Sequence, residues 1–366
     1  MRKLIRPLLI RFNVHQLAQK YYLSYLMLRK RLLVRIILPL FSWSGFLSSV
    51  YYVFFSRAYY REHKANLQGI RLFHKMQIHT REGLFYLIHN IHALEKGLTM
   101  RPRKDEFGIQ YIRQTVKAYQ DALLNLENKT IENRQIIWFH DVLEAYFNIV
   151  GLHEIIDEAR RLFLSLPKPH KEFAEQSIPH RRGVITGLKT NYEDLLQLAQ
   201  IRRSVRWFKQ VPVEREKIDK AIQLAALSPS ACNRQPFEFR VIDTPENLQR
   251  LAELPSGAAG FGHNFPGMVV IVGNLGAYVH ERDRHVIYID GGLAAMSFMF
   301  ALETLHISSC PLNWPDIPER EEEMRKLLHL KVYERPIIVI AYGYADPEGL
   351  IAHSEKKPLD RLRYFS

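Results

Sequence analysis

Cysteine is almost missing from these 366 residues: Cys232 and Cys310 are the whole complement, and they form no CxxC pair. That argues against a disulfide framework and a cysteine-based zinc site, and favours a reducing compartment. No GxGxxG follows a strand-like run, so a Rossmann dinucleotide site has no fingerprint. An HExxH pair and a catalytic-triad signature are missing too. Acidic residues are absent from the first 61 positions, which carry eleven Lys/Arg. The rest of the chain holds 40 basic against 38 acidic residues, so the formal charge of +13 belongs to the N-terminus. Nucleic acid is therefore not an expected partner of the protein as a whole.

What is present is enough for a folded protein of about two domains and an extra segment: 47% hydrophobic and 24% charged residues over this length. Residues 1–64 are the extra segment. Its start mixes apolar and basic positions at helical spacing, as at Ile5, Leu8, Leu9 and Phe12. Twenty uncharged residues follow, Ile36 to Phe55. As a straight helix they would reach roughly 30 Å, the thickness of a bilayer core. Pro39, Gly45 and four serines (42, 44, 48 and 49) invite a break, and basic residues flank both ends. A single span leaves its Lys/Arg excess on one side. Three readings stay open: a segment lying on or dipping into one leaflet of an anionic membrane, a packed helix pair, and a true span. The two basic flanks favour the first, giving a cytoplasmic protein, peripheral at the inner face of the membrane.

Residues 65–167 read as a helical domain, with apolar residues at 3–4 spacing in 110–128, 136–149 and 154–166. Gly97 is expected to end a helix with positive φ. His89, His92 and Glu95 share one helix face, a loose cluster better explained as polar surface than as a metal site. Residues 168–189, rich in Pro, His and Arg, read as a linker.

The organising stretch comes next. Ile201-Arg-Arg-Ser-Val-Arg-Trp-Phe208 sets Arg202, Arg203 and Arg206 around Ser204 at the end of a helical run, Tyr192–Ile201. Guanidinium forks match phosphate oxygens. Ser228-Pro-Ser-Ala-Cys-Asn-Arg-Gln-Pro-Phe237 then supplies amides at Asn233 and Gln235, which suit a flat heterocycle offering donors and acceptors. Together they point to a phosphorylated, ring-bearing cofactor. Beyond lie a helix at 214–227, strands at 237–242, 268–272 and 337–342, and a long helix at 284–305 containing Asp290-Gly-Gly-Leu-Ala-Ala-Met296. A short strand then leaves through Ser309-Cys-Pro-Leu-Asn-Trp314. This order indicates α+β, not a βαβ repeat.

In these fragments, residues 190–366 resemble the FMN-dependent nitroreductase family. Lys356-Lys-Pro-Leu359 matches that family's basic-Pro ending. The helical Glu95-Lys-Gly-Leu98 region is more loosely similar to an extension on some nitroreductase-like proteins near surface-polysaccharide genes. The resemblance implies a mixed sheet flanked by helices, here preceded by an all-α region, in a homodimer with FMN at the interface. It implies that Arg202, Arg203, Ser204 and Arg206 hold the phosphate and ribityl side, joined by Lys356 or Lys357. Pro229, Ser230, Ala231, Asn233 and Gln235 would line the ring, some of them across the dimer. Pro311, Leu312 and Asn313 would lie near N5. Where the family often has an acid and a glycine, this chain has Asn313 and Trp314. The implied activity carries hydride from NAD(P)H through FMN to a small organic acceptor, with no catalytic acid, base or nucleophile required of the protein. The alternative is a membrane-associated flavin-binding accessory protein of envelope polysaccharide assembly without NAD(P)H turnover. Cys232 and Cys310 read as small residues beside the ring, Asp290 as a helix or interface residue, and Trp314 as packing.

Overall fold

The computed structural model describes residues 14–76, 84–124, 133–171, 176–181, 187, 189–354 and 356–366. Ile5, Leu8, Leu9 and Phe12, and the linker positions 172–175, 182–186 and 188, lie outside the described residues. The chain divides into two compact units, Met1–His63 and Lys64–Ser366.

In the first unit, helix α1 (Val14–Leu32) continues through a π-helical turn (Leu33–Ile37) into α2 (Leu38–Ser42). Pro39 sits at the start of α2, where its missing N–H is tolerated. Ser44 then turns extended and caps α3 (Gly45–Phe54), accepting from the Leu47 amide at 3.2 Å. The Ser/Gly-containing stretch therefore breaks the uncharged run in two. α3 folds back on α2: Ser48 Oγ donates to the Phe41 carbonyl, and the Phe41 ring lies 5.5 Å from Tyr51 and 5.4 Å from Phe55.

The second unit begins along α4 (Tyr60–Met76) and continues with α5 (Leu84–Thr99), α6 (Ile112–Leu124), α7 (Asn133–Ile149) and α8 (Glu154–Ser165). α5 to α8 enclose one core, with Ile91, Leu94, Ile112, Tyr119, Phe139 and Tyr146 at its centre. Gly97 is not a helix end. It lies inside α5 without positive φ, and a Cβ there would meet the Phe107 ring at 2.2 Å. The glycine is needed for a close approach, which periodicity does not reveal. The Pro/His/Arg stretch is tethered to α7: Lys171 pairs with Asp141 at 2.6 Å, and the Ser177 amide donates to the same carboxylate.

The remaining residues build the α+β part. α9 (Tyr192–Ile201) starts on a reciprocal Asn191–Asp194 capping box. There follow α10 (Arg215–Ala225), β1 (Phe237–Ile242), α11 (Pro245–Ala252), β2 (Gly267–Asn274), α12 (Val286–Thr304), β3 (Ser308–Asn313), α13 (Pro318–Leu328) and β4 (Glu334–Gly343). The strands form one sheet in the order β1-β2-β4-β3, every named pair antiparallel. The parallel element of the expected mixed sheet is a bridge between Ser204 and Ser309 on the outer side of β3.

Side-chain alternation divides the sheet between two cores. Val269, Ile271, Ile340 and Tyr342 face α10 and α12; Met268, Val270, Val339 and Ala341 face α11, α13 and the loops around Phe208 and Phe265. β2 is buried throughout, because helices or loops cover both its faces. α4 crosses the turn after β2, where Ala65 shares a small core with Leu275, Ala277 and Tyr278. A Cβ on Gly69 would fall 2.7 Å from the Leu275 carbonyl oxygen.

Two predictions follow from this packing. Ala is the better helix former by about 1 kcal/mol, yet Gly69→Ala is expected to destabilise the protein by about 1–3 kcal/mol, because backbone must move. A raised Tm in thermal denaturation would refute the close approach. His140 is buried, bonded to Tyr119, and its pKa is lowered chiefly by that burial; Lys168 and Lys171 lower it further, and Glu144 and Asp141 oppose. The unfolded chain then takes the proton first, so this contribution is whole above roughly pH 6.5 and declines as pH falls below it. Melting curves between neutral and mildly acidic pH should fall less steeply for His140→Asn than for the parent.

Candidate cofactor site

The sequence-predicted residues gather in two places. The first is the strap after α9. Val205 N donates to the Ser309 carbonyl at 3.0 Å, which lays Ser204 along β3. Phe208 and Val205 plug into the core beneath, leaving Arg202, Ser204 and Arg206 half-buried above it. The Arg203 guanidinium donates to the Ala352 carbonyl at 2.6 Å and also to the His353 carbonyl. This pins the C-terminal tail against the strap.

The outcome is a polar cavity of about 110 Å³ lined by Arg202, Arg203, Ser204, Arg206 and Lys356, closed by Ala352 and Ser354. Residues some 150 positions apart in sequence therefore share one basic pocket. The Nε of Arg202 is buried there without a hydrogen-bond partner. Arg206 lies over the Phe261 ring at 5.7 Å, which fixes its stem. Lys357 is exposed and is not among the lining residues. A cluster of cations with two serines in a pocket this small suits a phosphate-sized anion.

Next to the strap, burial pushes the Cys310 thiol up, against the pull of Arg206 and Arg202. Cys310 points into the core and Cys232 lies in a separate loop, both as free thiols. Pro311 is half-buried, Leu312 sends its side chain into the core, and Asn313 is exposed at the end of β3. Trp314 is buried, its Nε1 donating to Glu321 at 2.8 Å beside the buried Arg335. It packs against the core and does not offer a stacking face. The turn Ser256–Ala258 lies against β3: a Cβ added on Gly257 would come 3.9 Å from the Leu312 side chain. No motif marked that turn. Nor did any mark the cavity of about 800 Å³ between α11, residues 255–266 and Gln210–Pro212, which holds none of the expected residues.

The second place is the loop 228–236, at the other end of α12. Cys232, Asn233 and Gln235 all have φ near +50°, a region that costs non-glycine residues roughly 1–2 kcal/mol each. Several bonds hold the loop in that shape. Asp290 accepts from the Ala231 amide and the Tyr278 hydroxyl, both at 3.1 Å. Ser230 Oγ accepts from the Gln235 amide, and Gln235 Nε2 donates to Asn233 Oδ1. The buried Arg234 stacks 5.0 Å from the Tyr278 ring. Burial raises the Asp290 pKa, while its two donors and Arg234 oppose the rise. Pro229, Asn233 and Gln235 remain exposed, with Ser230 and Ala231 half-buried.

Helix α5 supports this loop from the helical core. Phe85 packs in the same apolar cluster as Ala231, and the Arg234 charge acts on His89, whose pKa is lowered first by burial. His92 sits 3.4 Å from Glu95, which also accepts from Trp138. Among the described residues no group of three or more His, Cys, Asp or Glu is placed to hold a metal ion.

The two places do not meet within one chain. The loop is fastened to Asp290, whereas the Arg202 charge acts on Glu303, thirteen residues further along α12. At 1.5 Å per residue that is roughly 20 Å.

Replacing Asp290 with Ala removes a charged acceptor from two donors and frees a strained loop. The variant is expected to lose about 1.5–3 kcal/mol per bond to the charged group. Thermal denaturation and protease sensitivity at 228–236 measure this, and an unchanged melting curve would show that the carboxylate does not hold the loop.

Residues 199–344 match the model of the nitroreductase family. A Bacillus subtilis protein named "Putative NAD(P)H nitroreductase YdgI" is 24% identical over 212 residues, 48% of this chain and 98% of that protein. Iodotyrosine deiodinase 1 of Rattus norvegicus is 24% identical over 275 residues, 67% of this chain and 92% of its own. Among solved structures, an FMN-dependent nitroreductase of Clostridium difficile R20291 superposes with a TM-score of 0.41 at 24% identity. It covers 47% of this chain and 99% of that one.

Proposed function

From a nitroreductase-family domain at residues 199–344, we propose an FMN-dependent oxidoreductase that takes electrons from NAD(P)H and delivers them to a small organic acceptor. The observation that carries this reading is the basic cavity where the strap after α9 meets the tail around Lys356. Its donor set fits the flavin's phosphate. Arg202, Ser204 and Arg206 would bind it directly, while Arg203 serves first by holding the tail in place. Pro229, Ser230, Ala231, Asn233 and Gln235 would face the ring, and Pro311 with the Leu312 and Asn313 backbone would form the wall beside N5. When bound, FMN supplies the two-electron chemistry. The chain's part is to bind, orient and exclude water.

A homodimer completes the site. Loop and strap stand roughly 20 Å apart in one chain, so a ring held by both needs the loop of a second copy. α12 suits that role: Ile289, Leu293 and Met296 form an exposed apolar stripe beside Leu227 at 84% exposure. The length of the deiodinase alignment makes halogenated tyrosine a worthwhile member of an acceptor panel, beside nitroaromatics and enones.

Purified protein is expected to be yellow, to release FMN on denaturation, and to oxidise NADH or NADPH when an acceptor is present. Arg202→Ala should weaken FMN binding by roughly 10- to 150-fold, the worth of a charged hydrogen bond. Colourless protein that FMN cannot reconstitute would sink the proposal. Tight FMN binding with no turnover of either nucleotide would instead favour the accessory role in envelope polysaccharide assembly.

A further inference from the structure

We infer that residues 36–55 form a hairpin that inserts into one leaflet of an anionic membrane, with both basic flanks on the same, aqueous side. The inference concerns the first unit alone and is independent of the flavin reading.

The hairpin follows from contacts already described. Phe41 on α2 packs against Tyr51 on α3 and Phe55 just after it, and Ser48 bonds back to the Phe41 carbonyl. The arms therefore run back along each other from the turn at Trp43–Ser44. Between Ile36 and Phe55 there is no charged residue. None of the residues of α2 or α3 is buried. Within residues 36–55 the most exposed aromatics are Trp43 at 84% and Phe46 at 77% near the turn, followed by Phe54 at 76% on the second arm. Among the described residues of the first unit this surface joins no buried core.

Depth selects the occupant. Eight residues from Ile36 to Trp43 rise about 12 Å, and the return arm of about ten residues rises about 15 Å. One leaflet of hydrocarbon is about 15 Å thick, half of a core near 30 Å. The hairpin fills one leaflet and cannot cross two.

Charge agrees. Arg29, Lys30, Arg31 and Arg35 precede the first arm, and Arg57 and Arg61 follow the second. On a straight span these flanks would lie on opposite sides, against the usual asymmetry. On a hairpin they share the open end and meet one anionic surface. Tyr52, Tyr59 and Tyr60 gather at that end: Tyr52 and Tyr59 rings are 4.6 Å apart, and Tyr60 Oη donates to the Val53 carbonyl. Tyrosine favours this interfacial depth.

The test uses the full chain and vesicles of phosphatidylcholine with or without phosphatidylglycerol. Binding should require phosphatidylglycerol and weaken with salt. Reversing Arg29, Lys30 and Arg31 to Glu should lower partitioning by on the order of a hundredfold, and Phe46→Asp by a similar order. All these positions are unburied, so circular dichroism should be unchanged. Lipids brominated within the acyl chains should quench tryptophan emission in the parent and not in Trp43→Phe. Vesicle binding unaffected by Phe46→Asp, or equal affinity for phosphatidylcholine alone, would overturn the inference. So would quenching of Trp43 by iodide trapped inside the vesicles, which indicates a crossing. Lipid-independent self-association abolished by Phe46→Asp would assign the surface to a second copy instead.

Discussion

A single helix of 19 residues sets the geometry on which the candidate site depends. α12 lies against the sheet, its buried face holding Ala294, Ala295, Phe298 and Leu302 in the core shared with β2 and β4. Asp290 near its first turns fastens the amide-bearing loop, and Glu303 near its end lies under the influence of Arg202. A packed helix cannot shorten, since its backbone bonds fix the rise per residue. Two groups of residues that suit one ligand are therefore held apart within each chain. Helix length, more than any residue in the site, makes a second copy part of the proposed chemistry.

At each end the binding shape comes from constraint. The strap carries its arginines because Val205 and Phe208 are buried and Ser309 accepts from the chain above. The loop 228–236 keeps three non-glycine residues at positive φ only because Asp290, Ser230 and Arg234 over-determine it. Strain of this kind persists where surrounding bonds outweigh it. The helical core contributes here as well, since α5 packs behind the loop through Phe85, and the Arg234 charge is felt at His89. The loop is thus braced by the helices on one side and the sheet on the other.

Much of this was legible in the sequence where chemistry and spacing coincide. Helix α9 occupies the expected residues, and Arg202, Ser204, Arg206 and Lys356 do converge, because clustered guanidinium groups next to a helix end leave few other uses. What escaped is what depends on packing partners distant in sequence. Arg203 looks like its neighbours, yet its donors go to the tail. Gly97 looks like a helix terminator and instead admits Phe107. The turn at Ser256–Ala258 carries no charge or motif, and its place beside β3 is a product of topology. Trp314 is packing, as its sequence context suggests, but the partner that claims its N–H, the buried Glu321, is not readable there.

The uncharged N-terminal run shows the same limit from the other direction. Its length, its two basic flanks and its Pro, Ser and Gly residues were all readable, and they conflicted as long as the run was treated as one rod. A turn at Trp43–Ser44 removes the conflict: it halves the reach from that of a bilayer to that of a leaflet, and it moves the second flank to the side of the first. Composition alone could not supply the turn, because serine and glycine are tolerated inside apolar helices whose backbone bonds are satisfied. The Phe41 contacts with Tyr51 and Phe55 supply it. In the proposed hairpin the eleven Lys/Arg of residues 1–61 would supply the charge that meets an anionic surface, while the remainder of the chain is near neutral.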